Sequence, residues 1–155
     1  MNIDILLGAS SAATQIEGGG FVHSWSDWYE KGRIHDGSNP ARANELYSLL
    51  KRPIYITENG TCDNNDTFRC RFLYDHLEAL IASGLPVERY YHWSFTDNFE
   101  WCEGESARFG LVHIDYPTQK RTVKKSGRFY TAMIKNKSIT SEMFDEFVSH
   151  QEYHL

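Results

Sequence analysis

Side chains that can do chemistry collect in three short segments, each directly after a predicted strand. The segments contain the following residues: Gln15 and Glu17; Glu58 and Asn59; and Trp93, Asp97, Asn98, Glu100 and Trp101. The face of an indole covers the C–H surface of a sugar ring, and carboxylates accept hydrogen bonds from its hydroxyls. A carboxylate held at the tip of a strand can also act as a positioned nucleophile. These residue types therefore favour a sugar site that contains a nucleophilic carboxylate.

Each segment also has a purely structural interpretation. The run Thr57–Gly60 can be a simple turn, and Trp93 can be a core residue. Asp97 and Asn98 have the side chains that cap helices and turns. Glu100, beside an aromatic residue, can belong to a solvated loop. Residue types alone leave both interpretations open.

The elements that must position these segments follow from the spacing of apolar residues. We predict strands at 3–9, 54–57 and 90–95, helices at 41–51, 68–83, 126–136 and 140–153, and a long loop at 97–118 with a short hairpin at 111–114. Strands that alternate with helices predict parallel pairing with right-handed crossovers. In such folds ligands bind at the carboxyl ends of the strands, where the three segments lie.

Composition excludes several other classes of protein. The chain has 155 residues, which indicates about one domain, and its 16 basic and 21 acidic residues give a net charge of −5. That charge argues against nucleic acid and anionic membranes as partners. No apolar run approaches the roughly 18 residues of a membrane span. Met1–Asp4 lacks the basic start of a secretory signal, so we expect a soluble, cytoplasmic protein.

Cysteine and histidine spacing gives no sign of a metal or a disulfide framework. The three cysteines, Cys62, Cys70 and Cys102, form no CxxC pair. Among the seven histidines, only His150 and His154 are four apart, and they fall in the tail of the chain. We therefore expect no metal site and no cofactor.

Four motifs occur in an order that resembles a known family. Residues 56–60 read Ile-Thr-Glu-Asn-Gly, and residues 93–101 read Trp-Ser-Phe-Thr-Asp-Asn-Phe-Glu-Trp. Residues 108–116 read Arg-Phe-Gly-Leu-Val-His-Ile-Asp-Tyr, and residues 8–18 read Gly-Ala-Ser-Ser-Ala-Ala-Thr-Gln-Ile-Glu-Gly. Together they resemble glycoside hydrolase family 1, the β-glucosidase family, across two blocks that cover residues 3–135.

The resemblance implies a role for individual residues. It makes Glu58 the catalytic nucleophile. It assigns substrate binding to Gln15, Trp93, Glu100, Trp101 and Phe109. In this scheme Trp93 stacks under the sugar ring, and Phe109 lines the same pocket. The Asn-Phe-Glu-Trp form at 98–101 favours a plain glucoside or galactoside over a phosphorylated sugar.

The chain departs from this family in length and in one motif. The family fold is a (β/α)8 barrel, which typically needs about 250 residues. The resemblance therefore implies an α/β fold that is a partial barrel, a single domain over 1–155 with strand 1 in residues 1–43 and strands 7 and 8 in residues 44–155. Its three parallel strands are expected in the order 7-8-1 with helices outside. The acid/base motif Thr-(Phe/Leu)-Asn-Glu-Pro is absent from these 155 residues.

The missing motif gives two hypotheses for function. The first is a β-glucosidase-type glycoside hydrolase fragment whose activity is weak or absent without the acid/base glutamate. The second is a catalytically silent carbohydrate-binding or oligomer-forming fragment. Open strand edges invite pairing, so we also expect a homo-oligomer, a dimer or a tetramer.

Overall fold

The computed structural model describes residues 29–33 and 52–153. The chain divides into two compact units, Met1–Ile54 and Tyr55–Leu155. In the first unit, residues 29 and 30 are helical and a turn follows, closed by the amide of Gly32 donating to the carbonyl of Tyr29 at 2.9 Å. The predicted strand at 3–9, the predicted helix at 41–51, the predicted block boundary at residue 43 and Gln15 lie outside the described residues.

Residues 54–92 form a strand–helix–strand unit. Its elements are β1 (Ile54–Asn59), α1 (Arg69–Ala82) and β2 (Val87–His92), and β1 pairs with β2. Tyr55, near the start of β1, contacts Glu88, near the start of β2, at 3.5 Å. At the other end the amide of Trp93 donates to the carbonyl of Asn59 at 3.0 Å. The start of β1 therefore lies beside the start of β2, and the two ends also lie side by side, so the strands are parallel.

Helix α1 confirms the helix predicted at 68–83. Cys70 and Leu73 on its inner face are fully buried, and Gly84, with φ +65°, follows its end. The carboxylate of Asp63 accepts from the amides of Phe68 at 2.8 Å and Arg69 at 3.0 Å, so it caps the helix start. Burial raises the pKa of Asp63, but these hydrogen bonds and the Arg69 charge outweigh it and hold the pKa below its usual range.

The segment predicted as a long loop at 97–118 is more ordered than expected. It contains a 3-10 turn at Trp101–Glu103 and strand β3 (Val112–Asp115), which pairs antiparallel with β4 (Lys120–Val123). The short hairpin expected at 111–114 is longer than predicted: residues 112–114 belong to its first strand, and the second strand is at 120–123. In this register Val112 lies opposite Val123, and Asp115 lies opposite Lys120.

Two C-terminal helices complete the core. They are α2 (Lys125–Asn136) and α3 (Ser141–Phe147). The core consists of Cys70, Leu73, Leu111, Phe129, Met133, Met143, Phe147 and Val148. The helix predicted at 140–153 ends at Phe147, because buried Gln151 turns back to α1 and accepts from the amide of Arg71 at 3.1 Å.

The third predicted strand is displaced. It was expected at 90–95, but β2 ends at His92. After Trp93 the backbone leaves β1 and bonds instead to residues 109–112: Ser94 donates to the Phe109 carbonyl at 3.3 Å, and the Leu111 amide donates to the Ser94 carbonyl at 3.1 Å. Trp93 therefore sits at the point where one pairing ends and the next begins.

The predicted fold class is confirmed as a partial α/β fragment with parallel strands and helices. The described residues contain no closed barrel. Strands β1 and β2 are neighbours, as the order 7-8-1 requires, while the third member of that order lies outside the described residues. Within residues 29–33 and 52–153, no helix has the length and apolar character needed to cross a membrane.

Candidate active site

Glu58 lies at the carboxyl end of β1, where its side chain is exposed. The next residue, Asn59, is held twice: its carbonyl accepts from the Trp93 amide at 3.0 Å, and its side-chain oxygen accepts from the Tyr90 hydroxyl at 2.7 Å. At Gly60 a Cβ atom would lie 1.7 Å from the Trp93 carbonyl oxygen, so only glycine permits this approach. The sequence Glu-Asn-Gly thus fastens the end of β1, and the Glu58 backbone with it, beside Trp93.

Trp93 and Glu100 form a directly hydrogen-bonded pair. The Trp93 indole Nε1 donates to Glu100 Oε1 at 3.0 Å, and Asn98 Nδ2 donates to the same oxygen at 2.7 Å. Asn98 is itself oriented, since its Oδ1 accepts from the Ser94 hydroxyl at 2.9 Å. Among the described residues no hydrogen bond occupies Glu100 Oε2. Glu100 lies next to the Trp93 indole, which is 37% exposed.

The other predicted sugar-contacting residues are placed less tightly. Trp101 opens the 3-10 turn and is 82% exposed, while the amide before it, that of Glu100, donates to the Gly104 carbonyl at 2.7 Å. Phe109 is partly buried, and its carbonyl accepts from the Ser94 amide beside Trp93. The structure therefore brings together the Glu58 strand end, Trp93, Glu100 and the Phe109 backbone, and gives Trp101 no packing partner among the described residues.

The sequence singles out Asp97 by its position after a predicted strand, but not the contacts that its carboxylate makes. It is 3% exposed, and its oxygens accept from the amide of Gly110 at 3.0 Å and from Lys124 Nζ at 2.8 Å, among other donors. Burial raises the pKa of Asp97, but Lys124 and the backbone amides outweigh it, so the pKa lies below the usual range. Capping of a turn was one interpretation of Asp97 and Asn98, but the partners of Asp97 lie far away in sequence.

Arg69 is a residue that sequence reasoning did not single out. Its side chain is completely buried, and its Nη2 donates to the carbonyls of Asp63 at 2.7 Å and Arg108 at 2.6 Å. It therefore connects the loop after β1 to the segment that pairs with Ser94. A signal was present, because Arg69 lies four residues before Leu73 on the apolar face of α1.

The buried environment of His92, the last residue of β2, predicts that the stability of the folded protein depends on pH. Its Nε2 donates to the Phe109 carbonyl at 3.2 Å, and its Nδ1 is buried without a partner. Burial lowers the pKa of His92 to about 4 from 6.5, so the unfolded chain binds an extra proton between these values. The contribution of His92 to the free energy of unfolding is therefore fully present above pH 6.5, and it is lost as the pH drops toward 4. From pH 7 to pH 4.5 we expect the free energy of unfolding to fall by about 2 kcal/mol from this group.

Urea unfolding of the wild type and of His92→Leu at several pH values measures this effect. The variant is expected to lose most of the slope, because no imidazole remains to be protonated at this position. The Phe109 carbonyl keeps the Ser94 amide as a donor. His76, whose pKa burial also lowers, contributes a residual slope in the same window. An unchanged slope in His92→Leu would contradict the assignment.

The described residues contain no group of three or more His, Cys, Asp and Glu side chains placed to hold a metal ion. Cys62 and Cys102 are exposed and free, and Cys70 is free and buried in the core. Burial raises the pKa of the Cys70 thiol to about 12, which keeps it protonated and unreactive.

Comparison with known proteins defines the class. Over 100 residues the chain is 50% identical to a β-glucosidase of an Agrobacterium species, covering 57% of this chain and 22% of that protein. It is 43% identical over 115 residues to a 1,4-β-D-glucan glucohydrolase of Thermotoga neapolitana, covering 61% and 26%. The solved β-glucosidase of Pyrococcus furiosus superposes with a TM-score of 0.60 at 38% identity, covering 64% of this chain and 22% of that one.

The solved neighbours are β-glucosidases with a TIM-barrel fold, and the described residues form a partial α/β fragment with no closed barrel. The sequence model of glycosyl hydrolase family 1 matches residues 41–139, which is more than half of the chain. The chain belongs to glycosyl hydrolase family 1. It spans about a quarter of the length of the curated relatives it matches.

Proposed function

We propose that this chain carries the nucleophile and part of the glucose-binding surface of a retaining β-glucosidase site. The observation that carries the proposal is the junction of β1 and β2, where the Asn59–Trp93 hydrogen bond and the Gly60 contact hold the Glu58 strand end against the Trp93–Glu100 pair. A nucleophile and a sugar-contacting indole thereby share one edge of the sheet, at its carboxyl end.

The proposed first step is a displacement at the anomeric carbon. A Glu58 carboxylate oxygen forms a bond to that carbon, the bond to the aglycone oxygen breaks, and the leaving oxygen keeps the electron pair. In the second step water attacks the same carbon and Glu58 is released as a carboxylate. Trp93 would lie against the apolar face of the ring, and Glu100 Oε2 would accept from a ring hydroxyl.

Both steps need a second carboxyl group about 5–5.5 Å from the first, to protonate the leaving oxygen and later to activate water. The family motif that supplies it is absent from residues 1–155. Asp97 cannot take this role, because it is buried and its oxygens are occupied by Lys124 and by backbone amides. The proposed site therefore carries out glycosylation of Glu58 efficiently only when the leaving group needs no proton.

Covalent labelling tests the proposal directly. The dinitrophenyl glycoside of a deoxyfluoroglucose carries a leaving group that departs without protonation, and its fluorine slows release of the glycosyl enzyme. After incubation and proteolysis, mass spectrometry is expected to find one fluoroglucosyl group on the peptide that contains Glu58. Glu58→Gln, which keeps the shape of the side chain but lacks the nucleophilic oxygen, is the matched control. A label on another residue, or no label on folded protein, would contradict the proposal.

A second candidate is a carbohydrate-binding fragment without catalysis. The exposure of Trp101 favours this candidate, because the indoles of Trp93 and Trp101 are then both open to solvent near the Glu100 carboxylate. Perturbation of the Trp93 and Trp101 indole signals by methyl β-glucoside, with no labelling of Glu58, would support this function. The dimer or tetramer expected from the open strand edges stays a prediction.

A further inference from the structure

Asp97 joins three separate parts of the chain through one buried carboxylate. Its Oδ1 accepts from the Gly110 amide at 3.0 Å and from Lys124 Nζ at 2.8 Å. Its Oδ2 accepts from the Ile114 amide at 3.3 Å and faces Arg108 Nη1 at 3.4 Å and His113 Nδ1 at 3.2 Å. The loop after Trp93 is therefore fixed to the 108–110 segment, to β3 and to the residue before α2.

Apolar side chains could fill the volume around Asp97, so the charged side chains there need a separate explanation. A buried ionic cluster contributes less to stability than well-packed apolar side chains of the same volume, but it selects one arrangement. Lys124 is only 8% exposed in its side chain, and Arg108 is further fixed by donating to the Ile114 carbonyl at 3.0 Å. Without the Asp97 charge, these two cations would face each other uncompensated. These contacts hold residue 97 against the hairpin and against the residue before α2.

The next residue transmits this placement to the candidate site. Asn98 directly follows Asp97, and its side chain donates to Glu100 Oε1 at 2.7 Å while accepting from the Ser94 hydroxyl at 2.9 Å. The Asp97 amide also donates to the Val112 carbonyl at 3.0 Å. Backbone and side chain of residue 97 are both anchored, so the direction of the Asn98 amide is determined. Glu100 Oε1 in turn receives the Trp93 indole.

We propose that Asp97 is a positioning residue, which acts through Asn98 to hold the Trp93–Glu100 pair in the orientation that contacts the sugar. The identity of the ligand as a sugar rests on the proposed function. The orientation of the Trp93–Glu100 pair is a property of the free protein. Asp97 touches neither substrate nor nucleophile in this account.

The test is the indole N–H signal of Trp93 in nitrogen-15 spectra, assigned with Trp93→Phe. In Asp97→Asn an amide N–H₂ replaces one carboxylate oxygen. It faces the donors that this oxygen bound, so the loop that contains residue 97 must move. We expect the Trp93 indole signal to shift toward the solvent value and its hydrogen exchange to become about tenfold faster, as loss of a hydrogen bond to a charged group implies. Asp115→Asn is the matched control. It makes the same change of charge in the hairpin that Asp97 contacts, but the hydrogen-bond partner of Asp115 is Thr118. This variant is expected to leave the Trp93 indole signal unchanged.

A gentler pair of variants covers the case in which Asp97→Asn does not fold. Lys124→Met removes one cation while Arg108 and His113 remain, and it is expected to shift the same indole signal by a smaller amount. The double variant Asp97→Asn/Lys124→Met removes both charges, and the indole signal is expected to return part of the way to the wild-type position. Non-additive recovery of this kind is the signature of a direct coupling.

Two outcomes would overturn the proposal. A lower unfolding free energy in Asp97→Asn with an unchanged Trp93 indole signal would make Asp97 a structural residue only. An indole shift of equal size in Asp115→Asn would show a general response to charge. Because the spectra are recorded without sugar, a failure of fluoroglucosyl labelling on Glu58 refutes the proposed function and leaves this result standing. If the wild type is labelled, Asp97→Asn is expected to be labelled more slowly, and equal labelling rates would also overturn the proposal.

Discussion

The 155-residue chain is expected to cleave nitrophenyl β-glucoside at least about 100-fold more efficiently than cellobiose, because a general acid contributes about 10²–10⁴-fold where the leaving group needs a proton. Nitrophenolate departs without protonation, whereas the sugar leaving group of cellobiose does not. Glu58 is exposed at the end of β1 and can attack either substrate. The buried carboxylate of Asp97 is fully occupied and cannot donate a proton.

Even the activated substrate is expected to react slowly in absolute terms. Trp93 and Glu100 form only part of a glucose-binding surface, and groups that bind the sugar away from the reacting bond stabilise the transition state as well as the substrate. The loss therefore appears in kcat as well as in KM.

The assay measures kcat/KM for both substrates in the wild type and in Glu58→Gln. The variant is expected to lose activity on both, since no carboxylate remains to form the glycosyl intermediate. Equal efficiency on both substrates would show that another group supplies the proton, and a second subunit would be the first place to look. Activity that persists in Glu58→Gln would rule out the assigned nucleophile.

Arg69→Met is expected to lower the free energy of unfolding by about 3–5 kcal/mol, the usual cost of breaking a buried ion pair by removing one partner. The guanidinium is fully buried between the loop after β1 and the 108–110 segment. Its removal leaves the Asp66 carboxylate, which is only 10% exposed in its side chain, without its cation. The Gly110 carbonyl, 3.2 Å from Nη1, also loses a donor.

Chemical denaturation monitored by circular dichroism measures this loss. Arg128→Met is the matched control, because Arg128 also lies within a helix but is exposed, and its guanidinium donates to the Val123 carbonyl at 3.3 Å. It is expected to change stability by no more than about 0.5 kcal/mol. Arg69→Lys is expected to rescue little, since an ammonium group cannot reach three carbonyls in the planar arrangement of a guanidinium. A loss in Arg69→Met no larger than that in Arg128→Met would contradict the account.

Local features of the sequence were sufficient for α1 and α2 and for the order of the described elements, whereas the helix predicted at 140–153 ends at Phe147. In α1 the spacing of Leu73 and Leu77 and the stop at Gly84 are short-range signals, and the helix lies within one residue of the predicted limits. The parallel pairing of β1 with β2 follows from the intervening helix, because a strand–helix–strand connection permits little else. Residue type and motif alone also singled out Glu58, Trp93 and Glu100 as candidate site residues, and their roles stay predictions.

The strand boundaries could not be read in the same way. Tyr90–Phe95 has the composition of a strand throughout, and that composition predicts one continuous element. The position at which β2 ends depends on a choice between two sets of backbone partners, β1 before Trp93 and residues 109–112 after it. Both sets are distant in sequence, so only the folded chain decides between them.

The sequence by itself predicted a sugar site with a candidate nucleophile, and it determined the family and the alternation of strands and helices, because motifs and periodicity are properties of neighbouring residues. The tertiary structure alone decided what Asp97 and Arg69 do. Each is a charged residue whose partners lie across the fold, Lys124 for Asp97 and the Arg108 carbonyl for Arg69. A buried charge is tolerated only where donors and acceptors from several segments converge on it. That convergence depends on long-range contacts, so a pattern of neighbouring residues does not record it.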